Sequence, residues 1–298
     1  MDETWLDQIQ APDPAGRFGW RRTGPAVFIG GGIVLVVSLL AVLAPLISPH
    51  DPLAQVLVDR LKPPAWLSGG TATYLLGTDA NGRDILSRII WGGRTSLEIG
   101  LLSVLLGSLI GVSAGLLAGY RGGWLDTIIG RVADIQQAIP LLILALAVIA
   151  VVGSSILNLV IVLGGGSWLY YYRVVRGEVL AVRERPYIEA ARAVGVADRR
   201  ILGRHILPNV AGSIVVIVTL EIPQVILFTA GLTFLGLGVP PPTPEWGRLI
   251  FEGRDYLQSA WWLTLEPAAF LVLFVLGVNL LGDALRDRLD PIRRRSGA

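Results

Sequence analysis

The chain has 298 residues, of which 53% are hydrophobic and only 16% charged, and its formal net charge at pH 7 is +2. Soluble domains carry about 25% charged residues, so this composition excludes an ordinary soluble domain and indicates a membrane protein. Cysteine is absent, and the two histidines, His50 and His205, lie in unrelated contexts, which excludes disulfides and argues against a zinc site. Lys62 is the only lysine and follows no glycine-rich loop, so we expect no Walker A loop and no ATP bound by that route.

Six stretches are apolar and long enough to cross a bilayer, whose hydrocarbon core of roughly 30 Å needs about 20 helical residues. The polar segment before the first stretch, residues 1–25, contains Arg17, Arg21 and Arg22, and no short apolar run there ends at a small-residue cleavage site. We therefore interpret the first stretch as a retained anchor rather than a signal peptide. The predicted spans are 26–47, 97–120, 127–152, 156–175, 212–238 and 263–285.

The basic residues predict the orientation of these spans. If residues 1–25 are cytosolic, most of the 25 lysines and arginines fall on cytosolic segments, including eight arginines between 173 and 204 and five in the tail 286–298. Short loops rich in lysine and arginine favour the cytosolic side of a membrane. We therefore expect both termini in the cytosol, with a six-span domain over 26–285.

The segment 48–96 between the first two spans is long for a connection, so we expect it to have structure of its own. Asn81 and Gly82 form a predicted turn, and Asp84 is the predicted N-cap of a short amphipathic helix. A calcium loop is excluded because glycine and arginine occupy the third ligand position and no glutamate follows at the required distance. This loop and the second outer loop, 239–262, could each meet a soluble partner or simply cover the outer face of the bundle.

The second span carries small residues at every fourth position, which therefore line one stripe of a helix and allow another backbone to approach closely. Two interpretations are open: a helix interface that moves during transport, or static packing. Static packing is the favoured one, because such rows are common in membrane bundles. The stripe consists of Ser103, Gly107, Gly111, Gly115 and Gly119.

Between residues 173 and 209 the chain is basic and helix-forming. Residues 187–194 predict an alanine-rich helix that Gly195 ends in a left-handed conformation. Asp198 is predicted to cap a second short helix, which Pro208 terminates. A helix of small residues suits insertion into a groove on another protein, whereas the eight arginines would equally suit a surface segment on anionic lipid. Composition alone leaves both interpretations open.

The fifth span contains a carboxylate, Glu221, which is costly in lipid unless it faces a cavity or a partner. Pro223 removes a helical hydrogen bond and can kink the span. Glu221 could belong to a translocation path or serve as a structural hydrogen-bond partner. A single carboxylate within a span also fits a proton-coupled carrier, but such carriers often contain inverted repeats and this chain shows no second copy of any motif.

Several motifs, in order along nearly the whole chain beyond residue 25, resemble those of a known family. The Glu-Ala-Ala sequence at 189–191, followed by Gly195 and His-Ile-Leu-Pro at 205–208, resembles the coupling loop of permeases of bacterial type I ABC importers. The remaining motifs narrow the resemblance to the second permease of oligopeptide, dipeptide and nickel importers. They are Gly-Thr-Asp at 77–79, Gly-Arg-Asp at 82–84, Phe-Leu-Gly-Leu-Gly at 234–238, Pro-Pro-Thr-Pro-Glu-Trp-Gly at 241–247 and Asn-Leu-Leu-Gly-Asp-Ala-Leu-Arg-Asp at 279–287.

The resemblance implies an all-α permease in the bacterial cytoplasmic membrane that carries out no catalysis. It implies a homologous second permease, two cytosolic ATPase subunits that bind ATP and magnesium, and an extracytoplasmic substrate-binding protein. It gives no reason to expect a nucleic-acid partner, or a cofactor or metal on this chain. The residues expected to couple to the ATPase are Tyr187, Glu189, Ala190, Ala191, Arg192, Ala193, Gly195 and Asp198.

The candidates for the translocation path are Glu221, Pro223 and Thr229, chosen from polarity and from their position in the fifth span. Thr229 stands where many members of the family have a glutamate. The sequence around Glu221 is closer to the oligopeptide branch than to the dipeptide or nickel branches, which leaves the solute undetermined. The expected function is therefore peptide import, with nickel or another small solute, and an ion-coupled carrier, as alternatives.

Overall fold

The computed structural model describes residues 23–289, and every regular element in that range is helical. The chain begins with α1 (Thr23–Val42) and the short α2 (Ala44–Ile47). A loop to Asp84 follows, which includes a 3-10 turn at Leu57–Asp59 and one isolated bridge between Thr78 and Asp84. The loop therefore has structure of its own, as its length predicts.

The longest helix is α3 (Ile85–Arg121), with 37 residues. Asp84 is its N-cap, and the carboxylate accepts a hydrogen bond from the backbone N–H of Ser87, which confirms the predicted cap. The short helix expected after Asp84 is, however, continuous with the second span, so the outer loop ends at 84 rather than 96. No proline interrupts this stretch, so the helix can continue. Within it Gly93 packs against the indole of Trp246, whose nearest ring atom lies 2.9 Å from where a Cβ of residue 93 would be.

The predicted third span, 127–152, is two helices rather than one. α4 (Gly123–Gln137) and α5 (Leu141–Val152) meet at an angle of 83°. The break lies at Pro140, which has no N–H to donate and disfavours a helical conformation at the residue before it.

The next helix, α6 (Ile156–Arg183), extends beyond the predicted span. Two short helices follow, α7 (Pro186–Ala193) and α8 (Asp198–Ile201), and then a π-helical turn at Leu202–Ile206 that continues into α9 (Leu207–Phe234). The expectation that Pro208 ends a helix is wrong. Proline lies in the first turn of α9, where its missing N–H costs little.

The chain closes with α10 (Trp246–Gly253), a 3-10 turn at Arg254–Tyr256, and α11 (Trp262–Leu289). Within residues 23–289, three helical segments are long and apolar enough to cross a membrane alone: α3, residues 198–234, and α11 up to Asp287. The bent pair α4 and α5 passes the same test together.

Helices α3 and α6 run side by side in the same direction. A Cβ at Gly107 would meet Ser167, one at Gly111 would meet Trp168 and Tyr171, and one at Gly119 would meet Val179. Contact positions therefore increase together along both helices, with an offset of about 60 residues, which shows that the helices are parallel. The steps of four residues are those of interdigitating ridges on two packed helices. At the other side of the bundle α1 crosses α11, where Gly30 lies against the backbone of Gly277.

Candidate functional site

The loop between α6 and α9 forms a helix-elbow-helix that is anchored by isoleucines. Ile188 of α7, Ile201 of α8 and Ile206 of the π-helical turn are each fully buried. They pack with Val175 and Val179 of α6 in one apolar cluster. The loop is therefore attached to the bundle by its own core.

The elbow itself is closed by a glycine. Gly195 has φ of +78°, and the residues around it form the hydrogen bonds of a Schellman motif: Val196 N–H donates to Ala191 O at 3.0 Å and Gly195 N–H to Arg192 O at 2.9 Å. This confirms the predicted left-handed end of the first helix. A Cβ at Gly195 would touch nothing within 4 Å, so only its backbone conformation favours glycine.

Asp198 does not cap the second helix as predicted, since Ala197 is the N-cap and makes no side-chain bond. The Asp198 carboxylate instead accepts a hydrogen bond of 2.7 Å from the hydroxyl of Tyr120, at the end of α3. The guanidinium of Arg192 lies 4.9 Å from the centre of the same ring. Both arms of the elbow are therefore held by Tyr120, a residue that sequence reasoning missed because nothing local to it indicates a partner 78 residues away.

A polar cleft of about 420 Å³ lies between this elbow and the ends of α3 and α6. Arg183 spans part of it and donates from Nη1 to the carbonyl oxygen of Gly119 at 2.8 Å. The lining of the cleft is Tyr120, Arg121, Arg183, Glu184, Arg192 and Asp198.

The outward surface of the elbow consists of exposed residues, and three of the seven are alanine or glycine. Val194 is 78% exposed and Tyr187 42% exposed, large fractions for apolar or aromatic side chains on a segment with so firm an anchor. The other exposed members of this surface are Glu189, Ala190, Arg192, Ala193 and Gly195, with Ala191 half-buried.

The small-residue stripe faces α6 of the same chain. Ser103, Gly107, Gly111, Gly115 and Gly119 are all buried. The backbone oxygen of Ser103 lies 2.7 Å from where a Cβ at Gly164 would be, so the approach is close from both helices. The stripe therefore serves packing within the chain.

The candidates for the translocation path lie on α9 but do not converge on one site. Glu221 is half-buried and has no hydrogen bond or ion pair with another described residue. Pro223 is buried inside the helix. Thr229 is buried, and its hydroxyl donates to Val225 O of the same helix at 2.9 Å.

A charged network that the sequence did not indicate ties the first outer loop to α3 and α10. Asp79 pairs with Arg83 at 2.6 Å and also with Arg88, which is 1% exposed. Glu252 of α10 accepts from Arg88 at 2.9 Å, from Arg83 at 3.1 Å and from Arg248 at 2.9 Å. Burial disfavours the charged form of Glu252, but the neighbouring arginines, Arg88 first, hold its pKa below the ordinary value.

Glu245 forms a second link at the same end of the bundle. It is fully buried and caps α10, where its carboxylate accepts from the N–H groups of Gly247 and Arg248, both at 2.9 Å. It also accepts from the hydroxyls of Ser96 in α3 at 3.0 Å and Thr233 in α9 at 3.3 Å. Burial raises the pKa of Glu245, although these four hydrogen bonds favour its charged form. Three helices thus meet at one carboxylate.

Comparison with known families covers most of the chain. Residues 111–295 match the family described as binding-protein-dependent transport system inner membrane component. Residues 22–64 match the N-terminal TM domain of oligopeptide transport permease C.

Individual relatives agree with these matches over nearly their whole length. The Di/tripeptide transport system permease protein DppC of Pseudomonas aeruginosa is 43% identical, over 94% of this chain and 93% of the relative. The Dipeptide transport system permease protein DppC of Haemophilus influenzae is 43% identical over 88% and 89%. The Glutathione transport system permease protein GsiD of Pectobacterium atrosepticum is 43% identical over 91% and 89%.

A solved structure shares the fold. The MetNI methionine ABC transporter in an inward-facing conformation gives a TM-score of 0.54 at 21% identity, over 68% of this chain and 96% of the matched chain. The resemblance found in the sequence motifs is therefore confirmed. The chain belongs to the family of inner membrane components of binding-protein-dependent transport systems, and it is an ABC importer permease, not an enzyme.

Proposed function

We propose that the chain is one of two homologous permeases in an ATP-driven importer of short peptides. The relatives named for dipeptide, tripeptide and glutathione transport support a peptide solute, because their similarity extends over the whole permease rather than over one segment. The importer further comprises two cytosolic ATPases, which bind ATP and magnesium, and an extracytoplasmic substrate-binding protein.

The direction of the helices supports six membrane crossings. Because α3 and α6 are parallel, the bent pair α4 and α5 must return the chain across the bundle between them. In this proposal α1, α3, the bent pair, α6, α9 and α11 are six crossings, with residues 23 and 289 on the same side. The arginines of the elbow segment favour the cytosol for that side.

In this proposal the elbow is the coupling element on which an ATPase subunit docks. The observation that carries it is a helix whose inner residue, Ile188, is fully buried while Val194 beside the elbow is 78% exposed. Such a segment is rigid toward its own bundle and open toward a partner. The coupling residues are those named from the sequence, Tyr187 to Asp198, and Tyr120 joins them as the residue that holds the elbow to α3.

ATP-driven closure of the ATPases would then displace α7, and the shared isoleucine cluster would transmit the displacement to α6 and α9. The transport path would alternate between inward-facing and outward-facing states, a two-state change biased by nucleotide. Glu221, Pro223 and Thr229 are assigned to the wall of the path on α9. Nickel or another small solute, carried by the same architecture, is the second candidate.

A transport assay separates this proposal from an ion-coupled carrier. The complex is reconstituted in proteoliposomes with the binding protein, and uptake of a labelled dipeptide is measured with and without ATP. We expect uptake only with ATP. Uptake driven by a proton gradient in its absence would instead assign the energy source to Glu221 and reject the importer.

A cross-linking assay tests the docking surface directly. Because the chain has no cysteine, Val194→Cys introduces a single thiol at the elbow, and Val58→Cys introduces one at a valine that is 88% exposed in the outer loop. With a short bifunctional reagent, we expect Val194→Cys to cross-link to an ATPase subunit and Val58→Cys not to do so. An absence of ATPase adducts at Val194→Cys would remove the coupling role from this loop.

A further inference from the structure

A second cleft lies at the opposite end of α3 from the elbow. Its volume is about 500 Å³, within the range of roughly 300–1,000 Å³ that small-molecule sites occupy. Helices α3 and α6, the start of the first outer loop and the proline segment before α10 all contribute to it. The residues that matter below are Asp51, Trp91, Arg94, Glu98, Ile156 and Pro244.

The floor of this cleft is the one open stripe of an otherwise enclosed helical segment. Between Ile85 and Gly100, α3 is buried at nearly every position, but Arg94 and Glu98 are exposed and Trp91 is half-buried. These three residues are separated by three and four positions, so they share one face of the helix. Of the three charged residues in this segment, the fold thus buries Arg88 and leaves Arg94 and Glu98 uncovered.

The charged side chains of the cleft have no ion-pair partner among residues 23–289. Arg94 lies 5.6 Å from the centre of the Trp91 ring, and neither Arg94 nor Glu98 forms an ion pair with a described residue. Among the described residues, the carboxylate of Asp51 accepts a hydrogen bond only from the N–H of Leu53, at 2.8 Å. The neighbouring outer network differs, because its arginines are all paired with carboxylates.

We propose that this cleft binds a short zwitterionic peptide at the outer mouth of the permease, an inference that rests on the proposed peptide function. Arg94 binds the C-terminal carboxylate, and Glu98 with Asp51 binds the N-terminal ammonium group. Trp91, Ile156 and Pro244 provide an apolar wall for a side chain.

The spacing of the charges favours a peptide of about two residues. Side chains four positions apart on a helix have Cβ atoms about 5–6 Å apart, and an extended two-residue peptide spans about 7 Å. A guanidinium recognises a carboxylate by a charge-assisted, often bidentate, pair of hydrogen bonds. A peptide amidated at its C-terminus has no carboxylate for Arg94, and one acetylated at its N-terminus has no ammonium group for Glu98 and Asp51. Either change leaves a charge of the cleft unpaired.

Photoaffinity labelling of the complete complex, without binding protein, tests this assignment. The probe is a dipeptide of alanine and a diazirine analogue of leucine, used with a free or an amidated C-terminus. We expect the label within residues 51–53, 91–98 and 243–244. The variant Arg94→Gln should reduce labelling about tenfold, the scale of one hydrogen bond to a charged group, and amidation should have no further effect in that variant.

The matched control is Arg60→Gln, which changes an exposed arginine of the outer loop outside the cleft and should leave labelling unchanged. Label elsewhere on the chain, or an Arg94→Gln variant as sensitive to amidation as the native chain, overturns the inference. So does weaker capture of the binding protein by Arg94→Gln with labelling intact, which would make the cleft a docking surface. Dipeptide uptake by the native complex is measured separately: its absence rejects the proposed function, whereas uptake without cleft labelling rejects only this inference.

Discussion

Gly111 of α3 lies directly against the carbonyl of Trp168 in α6: a Cβ added at Gly111 would stand 2.2 Å from that oxygen and 2.6 Å from Cβ of Tyr171. Neither neighbour is the flexible end of a side chain. The two helices are therefore as close here as their backbones allow, and their separation depends on glycine at this position.

We predict that Gly111→Ala destabilises the chain by about 1–3 kcal/mol, because overpacking forces both helices apart, and that Gly111→Leu also lowers the yield of assembled complex. Thermal unfolding of the purified protein measures the first effect. The matched control is Gly165→Ala in α6, where an added Cβ meets nothing within 4 Å; it should be neutral or stabilising, since alanine favours a helix. Equal unfolding temperatures for the two variants would contradict this packing.

We predict that Asp79→Asn costs about 3–5 kcal/mol, because it leaves Arg83 and the buried Arg88 with Glu252 as their shared partner. The amide keeps the side-chain oxygen that accepts from the backbone N–H groups of residues 81 and 83. Asp255→Asn is the control, since it removes an ion pair whose carboxylate is 75% exposed, and it should not change the unfolding temperature measurably. A similar shift in both variants would argue against a structural network.

The lowered pKa of Glu252 predicts how stability depends on pH. A carboxyl whose pKa is lower in the folded state contributes stability above its ordinary pKa of 4.5 and loses it as the pH falls through the folded value. The unfolding temperature of the native chain should therefore fall below about pH 4.5, and Glu252→Gln should show a shallower fall over the same interval. If the unfolding temperatures of the two proteins fell in parallel with pH, Glu252 would not be the group responsible for the loss of stability.

We predict that Gly195→Asp abolishes transport while the chain still inserts in the membrane. A non-glycine residue at φ of +78° costs roughly 1–2 kcal/mol and shifts the elbow, and the new carboxylate alters the docking surface. Gly203→Asp introduces the same side chain at an exposed glycine of the same loop, where nothing lies within 4 Å of an added Cβ. That variant should retain transport; intact uptake in Gly195→Asp would favour a scaffold over a coupling element.

Accessibility of two engineered thiols checks the orientation. In intact spheroplasts, a membrane-impermeant maleimide should label Val58→Cys and not Val194→Cys, whereas in inverted vesicles it should label Val194→Cys and not Val58→Cys. The two valines have similar exposure, 88% and 78%, so a difference reports the side of the membrane. The reverse pattern would invert the topology and exclude cytosolic coupling.

The motifs, composition and charge distribution were sufficient to predict a helical membrane permease, its family and the location of the elbow. These inferences depend on local patterns: apolar runs, a glycine after an alanine-rich helix, and Asp84 one residue before a helix. Local patterns were less informative where a helix continues or breaks. The sequence predicted that a helix ends at Pro208, where it continues, and that a span runs unbroken through Pro140, where two helices meet at 83°. The effect of a proline depends on which backbone groups around it find other hydrogen-bond partners.

Contacts between distant segments were decided only by the tertiary structure. A row of small residues indicates that some helix packs against it, but not that the partner is α6 in parallel. Likewise, the pairing of Arg88 with Glu252, 164 residues apart, and of Tyr120 with Asp198 depends on how whole helices pack, since many carboxylates could satisfy the same donor. The sequence by itself therefore determined the class of protein and its local elements, whereas the packed helices determined which charges are paired and which, such as Arg94, remain available.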